Sequence, residues 1–186
     1  LLADPAPGEV GAALRDAAPT VVLSLARGSS DNAVTFFAYL VGLTLGLPVA
    51  SVPPSLVTLH QARLRTERAL VVGVSQSGES QDVVGAVRAL AASGVPSLGV
   101  HNRPGSALEQ VCGLSVRLGA GEERAVAASK TFSSQMMALA RVVAEWADDD
   151  ALRQALAEVP DAIERLLAEP GAIDAAAARL THAEQL

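Results

Sequence analysis

Apolar residues along this chain gather into short runs separated by longer stretches of helical periodicity. Val21–Ala26, Val49–Val52, Ala69–Val74, Val95–Val100 and Leu114–Leu118 are near-continuous runs rich in Val, Leu and Ala. Strands covered on both faces look like this, because neither face demands a polar residue at every second position. Asp31–Leu45, a short stretch near Pro54–Gln61, Gln81–Ala92 and a short stretch near Ser106–Val111 lie between the runs and have helical character. The long segment Ser129–Ala147 follows the last run. Within Gln81–Ala92, Val83, Val87 and Leu90 share one face at helical spacing. Strand–helix alternation of this kind predicts an α/β fold, a three-layer αβα arrangement around a five-stranded parallel sheet, with further helices at the C-terminal end.

The pattern divides the chain into a helical lead-in over 1–18, the sheet domain over 19–147 and a helical tail over 148–186. Asp148-Asp149-Asp150 suits a helix start, where acidic groups favour the dipole. Pro160 is expected to end or kink the helix that follows. Another helix is expected from near Pro170-Gly171 to about Leu180. This Ala-rich tail either packs on the sheet or connects to something further along. Position 1 is Leu rather than Met, as expected of an excised or processed piece.

Composition narrows the picture. Half of the 186 residues are hydrophobic (50%) and only 3% are aromatic, so a sizeable core must be built from Ala, Val and Leu. No apolar run reaches the ~20 residues that span a bilayer; Ala33–Val52 is interrupted by Gly42, Gly46 and Pro48. No signal peptide is visible, and no membrane partner is expected. The formal net charge of −6 argues against nucleic acid as a partner, which calls for a basic face. It leaves room for a small anion, because backbone N–H groups at a helix start bind phosphate whatever the overall charge. A single cysteine, Cys112, rules out an internal disulfide and offers no zinc spacing, so a reducing, cytoplasmic setting is the expectation. Cys112 reads as a small hydrophobe. His60, His101 and His182 show no metal spacing and read as surface or packing residues. No metal or cofactor is expected: Gly119-x-Gly121 lacks the third glycine of a dinucleotide fingerprint, and no ATPase-type phosphate loop is present.

The candidate chemistry sits where strands pass into helices. Ala69–Ser80 runs directly from a strand into Ser75-Gln76-Ser77-Gly78-Glu79-Ser80 and a helix. Ligands of open α/β sheets bind at such carboxyl ends. Gly78 permits unusual torsions and close backbone approach. Ser75, Ser77 and Ser80 put three hydroxyls on one turn, where helix capping requires only one. The loop therefore reads as an anion site that works without a cation, with Glu79 and Asp82 turned away from the ligand. Arg27-Gly28-Ser29-Ser30 repeats the theme after the first strand. It reads equally as a second anion loop or as a glycine-plus-cap turn. In a parallel sheet both loops face one crevice. A third element, Glu122–Thr131, precedes the long helix. It contains Lys130, the only Lys beside thirteen Arg, which either pairs with Glu123 or contacts ligand directly. The helix bearing Phe36, Phe37 and Leu40 is either core or interface.

These loops, in this order, resemble those of the sugar isomerase (SIS) domain family. Ser75-Gln-Ser-Gly-Glu-Ser80 resembles its Ser-x-Ser-Gly-Glu-Thr/Ser loop, Arg27-Gly-Ser-Ser30 its first loop, and Glu123-x-x-Val-Ala-x-Ser/Thr-Lys130 its second signature. Asn102-x-Pro-Gly-Ser106 resembles the turn after the fourth strand. The resemblance covers about Val21 to Trp146 and implies a flavodoxin-like SIS fold. It implies that Ser75, Gln76, Ser77 and Ser80, around Gly78, hold the phosphate. Ser29 and Ser30, beside Gly28, would meet phosphate and sugar hydroxyls, and Val126 would offer a backbone contact, with Glu123 and Lys130 in support. Ala128 stands where the aminotransferases of the family carry Ser. Arg-Gly-Ser-Ser-Asp and Val-Ala-Ala-Ser-Lys lean toward the glucosamine-6-phosphate deaminases rather than the isomerase half of glutamine–fructose-6-phosphate aminotransferase.

The activity implied by the resemblance is aldose–ketose isomerisation or deamination of an amino-sugar 6-phosphate, with fructose-6-phosphate or glucosamine-6-phosphate as partner and a homodimer as assembly. A carboxylate moves a proton between C1 and C2. In such proteins that carboxylate, and the His that helps open the ring, lie in a second SIS domain or a neighbouring subunit, so no catalytic base is assigned among these residues. The alternative is a non-catalytic module that senses a phosphosugar. A flavodoxin-like nucleotide binder is disfavoured by the missing glycine fingerprints.

Overall fold

The structure, a computed structural model, describes residues 3–124, 128–169 and 171–181. Val126 and His182 lie outside the described residues. The elements run α1 (Ala6–Ala17), β1 (Val21–Leu25), α2 (Ser29–Leu45), β2 (Val49–Ser51), α3 (Pro54–Thr58), β3 (Ala69–Ser75), α4 (Gln81–Ala91), β4 (Ser97–His101), α5 (Ala107–Val111), β5 (Leu114–Arg117), α6 (Lys130–Ala147), α7 (Asp150–Ala168) and α8 (Gly171–Leu180). All strand pairs are parallel, in the order β2-β1-β3-β4-β5. That is the flavodoxin-like doubly wound order, and its switch point lies between β1 and β3.

The strands divide their side chains between two cores. Leu70, Val72 and Val74 of β3 pack with Phe37, Leu139, Val143 and Trp146 against α1, α2 and α6. Ala69 and Val71 face the other way and pack with Val83, Val87, Leu90 and Leu108 against α3, α4 and α5. Strand alternation forces this split, and every residue of β3 is buried. Phe37 is fully buried, whereas Phe36 is 37% and Tyr39 69% exposed, so α2 is core on one side and surface on the other. Burying a side chain such as Phe37 stabilises the fold by about 1.5–3 kcal/mol.

The elements β4, α2 and α7 depart from the hydropathy pattern for identifiable reasons. β4 begins at Ser97 and ends at His101. Both residues are buried although polar, so an apolar run does not mark them. His101 is fully buried, its Nδ1 2.9 Å from the Arg103 carbonyl and its Nε2 2.7 Å from Ser115 Oγ. α2 starts two residues early, at Ser29, directly after Gly28. α7 carries Pro160 inside it rather than ending there. None of its residues is buried, so solvent can take the Leu156 carbonyl that loses its N–H partner. The three aspartates separate roles: Asp148 closes α6 in the left-handed region, Asp149 caps α7 by accepting from Leu152 N–H at 2.9 Å, and Asp150 opens it. Among the described residues no helix is long and apolar enough to cross a membrane.

Candidate functional site

The loops that leave β1 and β3 flank the switch point and line one cleft of about 480 Å³. Its walls are Arg27, Gly28, Ser29, Ser30, Val74, Ser75, Gln76, Ser77, Ser80 and Ala128. Ser29 and Ser30 form the first turn of α2, and Ser80 is the N-cap of α4. Two helix N-termini therefore converge on one space, each with a partial positive charge of about half a unit.

Sequence places the β3 loop by forcing a turn at Gly78. Its φ is +70°, and a Cβ there would lie 2.3 Å from Ser106 Oγ and 2.5 Å from Ser106 Cβ. Only glycine fits. The Gly78 carbonyl accepts from Leu108 N–H at 2.9 Å, which pins the loop to α5. Gly28 is needed for torsion alone: φ is +58°, with open space where a Cβ would be.

Within the loop the serines already hold one another. Gly78 N–H donates to Ser75 Oγ at 3.1 Å, Glu79 N–H to Ser77 Oγ at 3.1 Å, and the Ser75 and Ser80 hydroxyls are 3.2 Å apart. Ser80 caps through its position, because its side chain is engaged with Ser75 rather than with α4. The amides of Ser77, Ser80, Gln81 and Asp82 donate to no protein acceptor among the described residues. They are the donors left for an anion at this helix start.

The structure brings Gly28, Ser29, Ser30, Ser75, Gln76, Ser77 and Ser80 together around the cleft. Gly78 is not among the lining residues and packs instead against Ser106. Glu123 and Lys130 sit apart from it. The Glu123 carboxylate accepts from Thr131 N–H at 3.1 Å and from Thr131 Oγ1 at 2.9 Å, and so caps α6 from eight residues upstream. Lys130 Nζ donates to the Glu122 carbonyl at 2.5 Å. Glu123 also lines a neighbouring pocket of about 600 Å³ that shares Gln76 and Ser77 with the cleft.

Two residues escape a reading of the sequence. Arg27 lines the cleft and is ion-paired with Asp82 at 2.6 Å. The guanidinium beside Asp82 holds its carboxyl below the usual carboxylate range. Asp82 stays outside the cleft lining, solvent-exposed and neutralised by Arg27, and a cation stands at a site expected to work without one. Glu79 also turns away, its Oε1 lying 3.4 Å from Ala107 N–H of α5. The second residue is Gln135, whose Nε2 donates to Ser30 Oγ at 2.9 Å. Its signal in the sequence is a carboxamide on the apolar stripe that continues through Leu139, Val142 and Trp146. Among the described residues no group of three or more His, Cys, Asp or Glu is arranged to hold a metal. Cys112, which joins α5 to β5, packs against the core on the α4 and α5 side of the sheet, and burial pushes its thiol up to about 12.

Comparison with known proteins agrees with this geometry. A family model described as the SIS domain matches residues 17–144. The glutamine–fructose-6-phosphate aminotransferase of Halobacterium salinarum is 33% identical over 152 residues, covering 77% of this chain and 25% of that protein; its counterpart in Aquifex aeolicus is 32% identical over 147 residues, covering 78% and 25%. A Silicibacter pomeroyi protein assigned as a phosphosugar isomerase superposes with a TM-score of 0.81 at 42% identity, covering 83% of this chain and 47% of that one. The Thermotoga maritima glucosamine-6-phosphate deaminase shares the fold (TM-score 0.65, 18% identity, covering 83% and 52%). The chain spans about a quarter of the aminotransferases and about half of these two solved chains. From the family match and the shared architecture, the chain belongs to the SIS domain family.

Proposed function

We propose that the cleft between β1 and β3 binds the phosphate of an amino-sugar or ketose 6-phosphate, glucosamine-6-phosphate or fructose-6-phosphate, as one SIS domain of an isomerase or deaminase. The observation that carries this reading is the convergence of two helix N-termini, five serines and Arg27 on one cleft. A phosphate dianion requires several donors arriving from different directions, and few other metabolite groups would use them all. The substrates in the aminotransferase and deaminase names point the same way.

The cleft lining contains no carboxylate among the described residues. Proton transfer between C1 and C2 requires a base within reach of the substrate. We place the base in a second SIS domain or a second subunit, to which the tail over 148–186 would lead. A sensing role without catalysis is the second reading, favoured by the same lack of a base in the cleft. Calorimetric titration with glucosamine-6-phosphate, with glucosamine as control, tests binding. Substituting Ser75→Ala and Ser77→Ala together removes two hydroxyls near a dianion, each worth about 1.5–3 kcal/mol. Affinity should fall about a hundredfold or more. Unchanged affinity in the double variant, or equal affinity for glucosamine, refutes the assignment. Turnover by this chain as a monomer, in a coupled assay on a sample shown to be monomeric, would refute the external base.

A further inference from the structure

We infer that Gln135 is a positioning residue for the cleft, acting through Ser30; the inference rests on the phosphosugar reading above. Gln135 lies in the second turn of α6, is 1% exposed, and reaches across to the first turn of α2, a separation of 105 residues in sequence. Ser30 is 5% exposed and lines the cleft. The other carboxamide atom, Oε1, is buried without a hydrogen-bond partner, and no other side-chain atom among the described residues is in that position. A buried carbonyl left unmet is unfavourable. Leu or Met would fill the same space in this apolar stripe without that penalty. The carboxamide is explained by what its N–H does.

The orientation of the amide follows from the same atoms. Turning it over would leave N–H groups unmet in place of the carbonyl, and buried proteins tolerate an orphaned N–H less readily than an under-satisfied C=O. With Nε2–H donated to Ser30 Oγ, one acceptor site of that hydroxyl is filled. Its own proton has no acceptor among the described residues. A serine hydroxyl ordinarily donates or accepts as its surroundings demand. Gln135 makes this one a donor, as an anionic oxygen in the cleft requires. It thereby links α6, outside the cleft, to selection for an anion inside it.

The test is a mutant cycle on the full chain, read by calorimetry with glucosamine-6-phosphate and, separately, by thermal unfolding. Gln135→Met keeps the volume and removes the donor. It should weaken binding about fivefold in the wild-type background, the size of one ordinary hydrogen bond, and not at all in Ser30→Ala. A merely structural Gln135 would weaken both backgrounds equally; that result, or undiminished affinity in Gln135→Met, overturns the inference. Gln135→Glu adds a pH signature and decides the matter if Gln135→Met does not fold. A carboxylate accepts a hydrogen bond from the Ser30 hydroxyl, whereas a protonated acid can donate one to it, and burial raises the pKa of such an acid. The affinity of Gln135→Glu relative to wild type at the same pH should therefore rise from ~pH 8 to ~pH 6, and a flat ratio overturns the inference. If the wild-type chain itself binds no glucosamine-6-phosphate, the phosphosugar reading falls and takes this inference with it. Wild-type binding combined with a loss independent of Ser30 sinks the inference alone.

Discussion

Replacing Gly78 with Ala should damage the fold and the cleft together. The added Cβ would sit 2.3 Å from Ser106 Oγ, 2.5 Å from Ser106 Cβ and 3.2 Å from His101 Cβ. Comfortable carbon–carbon contacts are about 3.5–4.0 Å, so two atoms overlap by roughly an ångström or more. Ser106 has no room to withdraw: it is fully buried and caps α5, accepting from Glu109 N–H at 3.4 Å. Overpacking of this kind costs about 1–3 kcal/mol. The φ of +70° adds about 1–2 kcal/mol for a residue with a side chain. Together they predict a loss of about 2–5 kcal/mol in urea unfolding, a large share of the ~5–15 kcal/mol typical of a domain. Phosphosugar affinity should fall at least tenfold, because Ser75 and Ser77 are tied to the Gly78 and Glu79 amides. Adding Ser106→Gly removes both clashing atoms for a few tenths of a kcal/mol of lost capping. It should restore the steric part and leave the torsional part. A loss below ~1 kcal/mol in Gly78→Ala, or no recovery with Ser106→Gly, would show that the loop is not pinned against α5 as described.

Arg27→Ala should weaken phosphosugar binding by about tenfold, the scale of one charge-assisted contact, and return the Asp82 carboxyl toward its ordinary range in an NMR titration. Asp82→Asn in the same background should recover part of the affinity by removing the exposed negative charge; no recovery would mean that Arg27 does not act by shielding Asp82. The Asp82 carboxyl is depressed in the folded state, so whatever its pair with Arg27 contributes is present above the ordinary carboxylate range and lost as pH falls through the folded value. The pair is half exposed, so this contribution is small. His101 behaves differently: burial lowers its pKa, the unfolded chain binds its proton more readily, and stability should fall as pH drops below ~6.5. Urea midpoints measured across that range should show the slope in wild type and a flatter one in His101→Gln.

Most of the fold is written in local pattern, and most of what tunes the site is not. The apolar runs mark β1 and β3 within a residue or two because central parallel strands are covered on both faces. The serine-rich loops are legible because Gly and Ser clusters at strand ends have few other uses. β4 is shifted because Ser97 and His101 are buried through hydrogen bonds, which hydropathy does not register. Pro160 does not end α7, because no residue of that helix is fully buried and water can satisfy the carbonyl that the proline leaves unpaired. The pairing of Arg27 with Asp82 and of Gln135 with Ser30 joins residues 55 and 105 positions apart. No periodicity carries such information, since it depends on which strands lie side by side. Capping of α6 by Glu123 is hidden for a related reason: the cap arrives from a loop rather than from the residue before the helix.

The strand order has a mechanical corollary. The chain leaving β1 climbs onto the layer that holds α1 and α6, while the chain leaving β3 climbs onto the layer that holds α3 and α5. A small molecule seated between the two exits would therefore touch both layers at once, since one wall of the cleft opens α2 and the other opens α4.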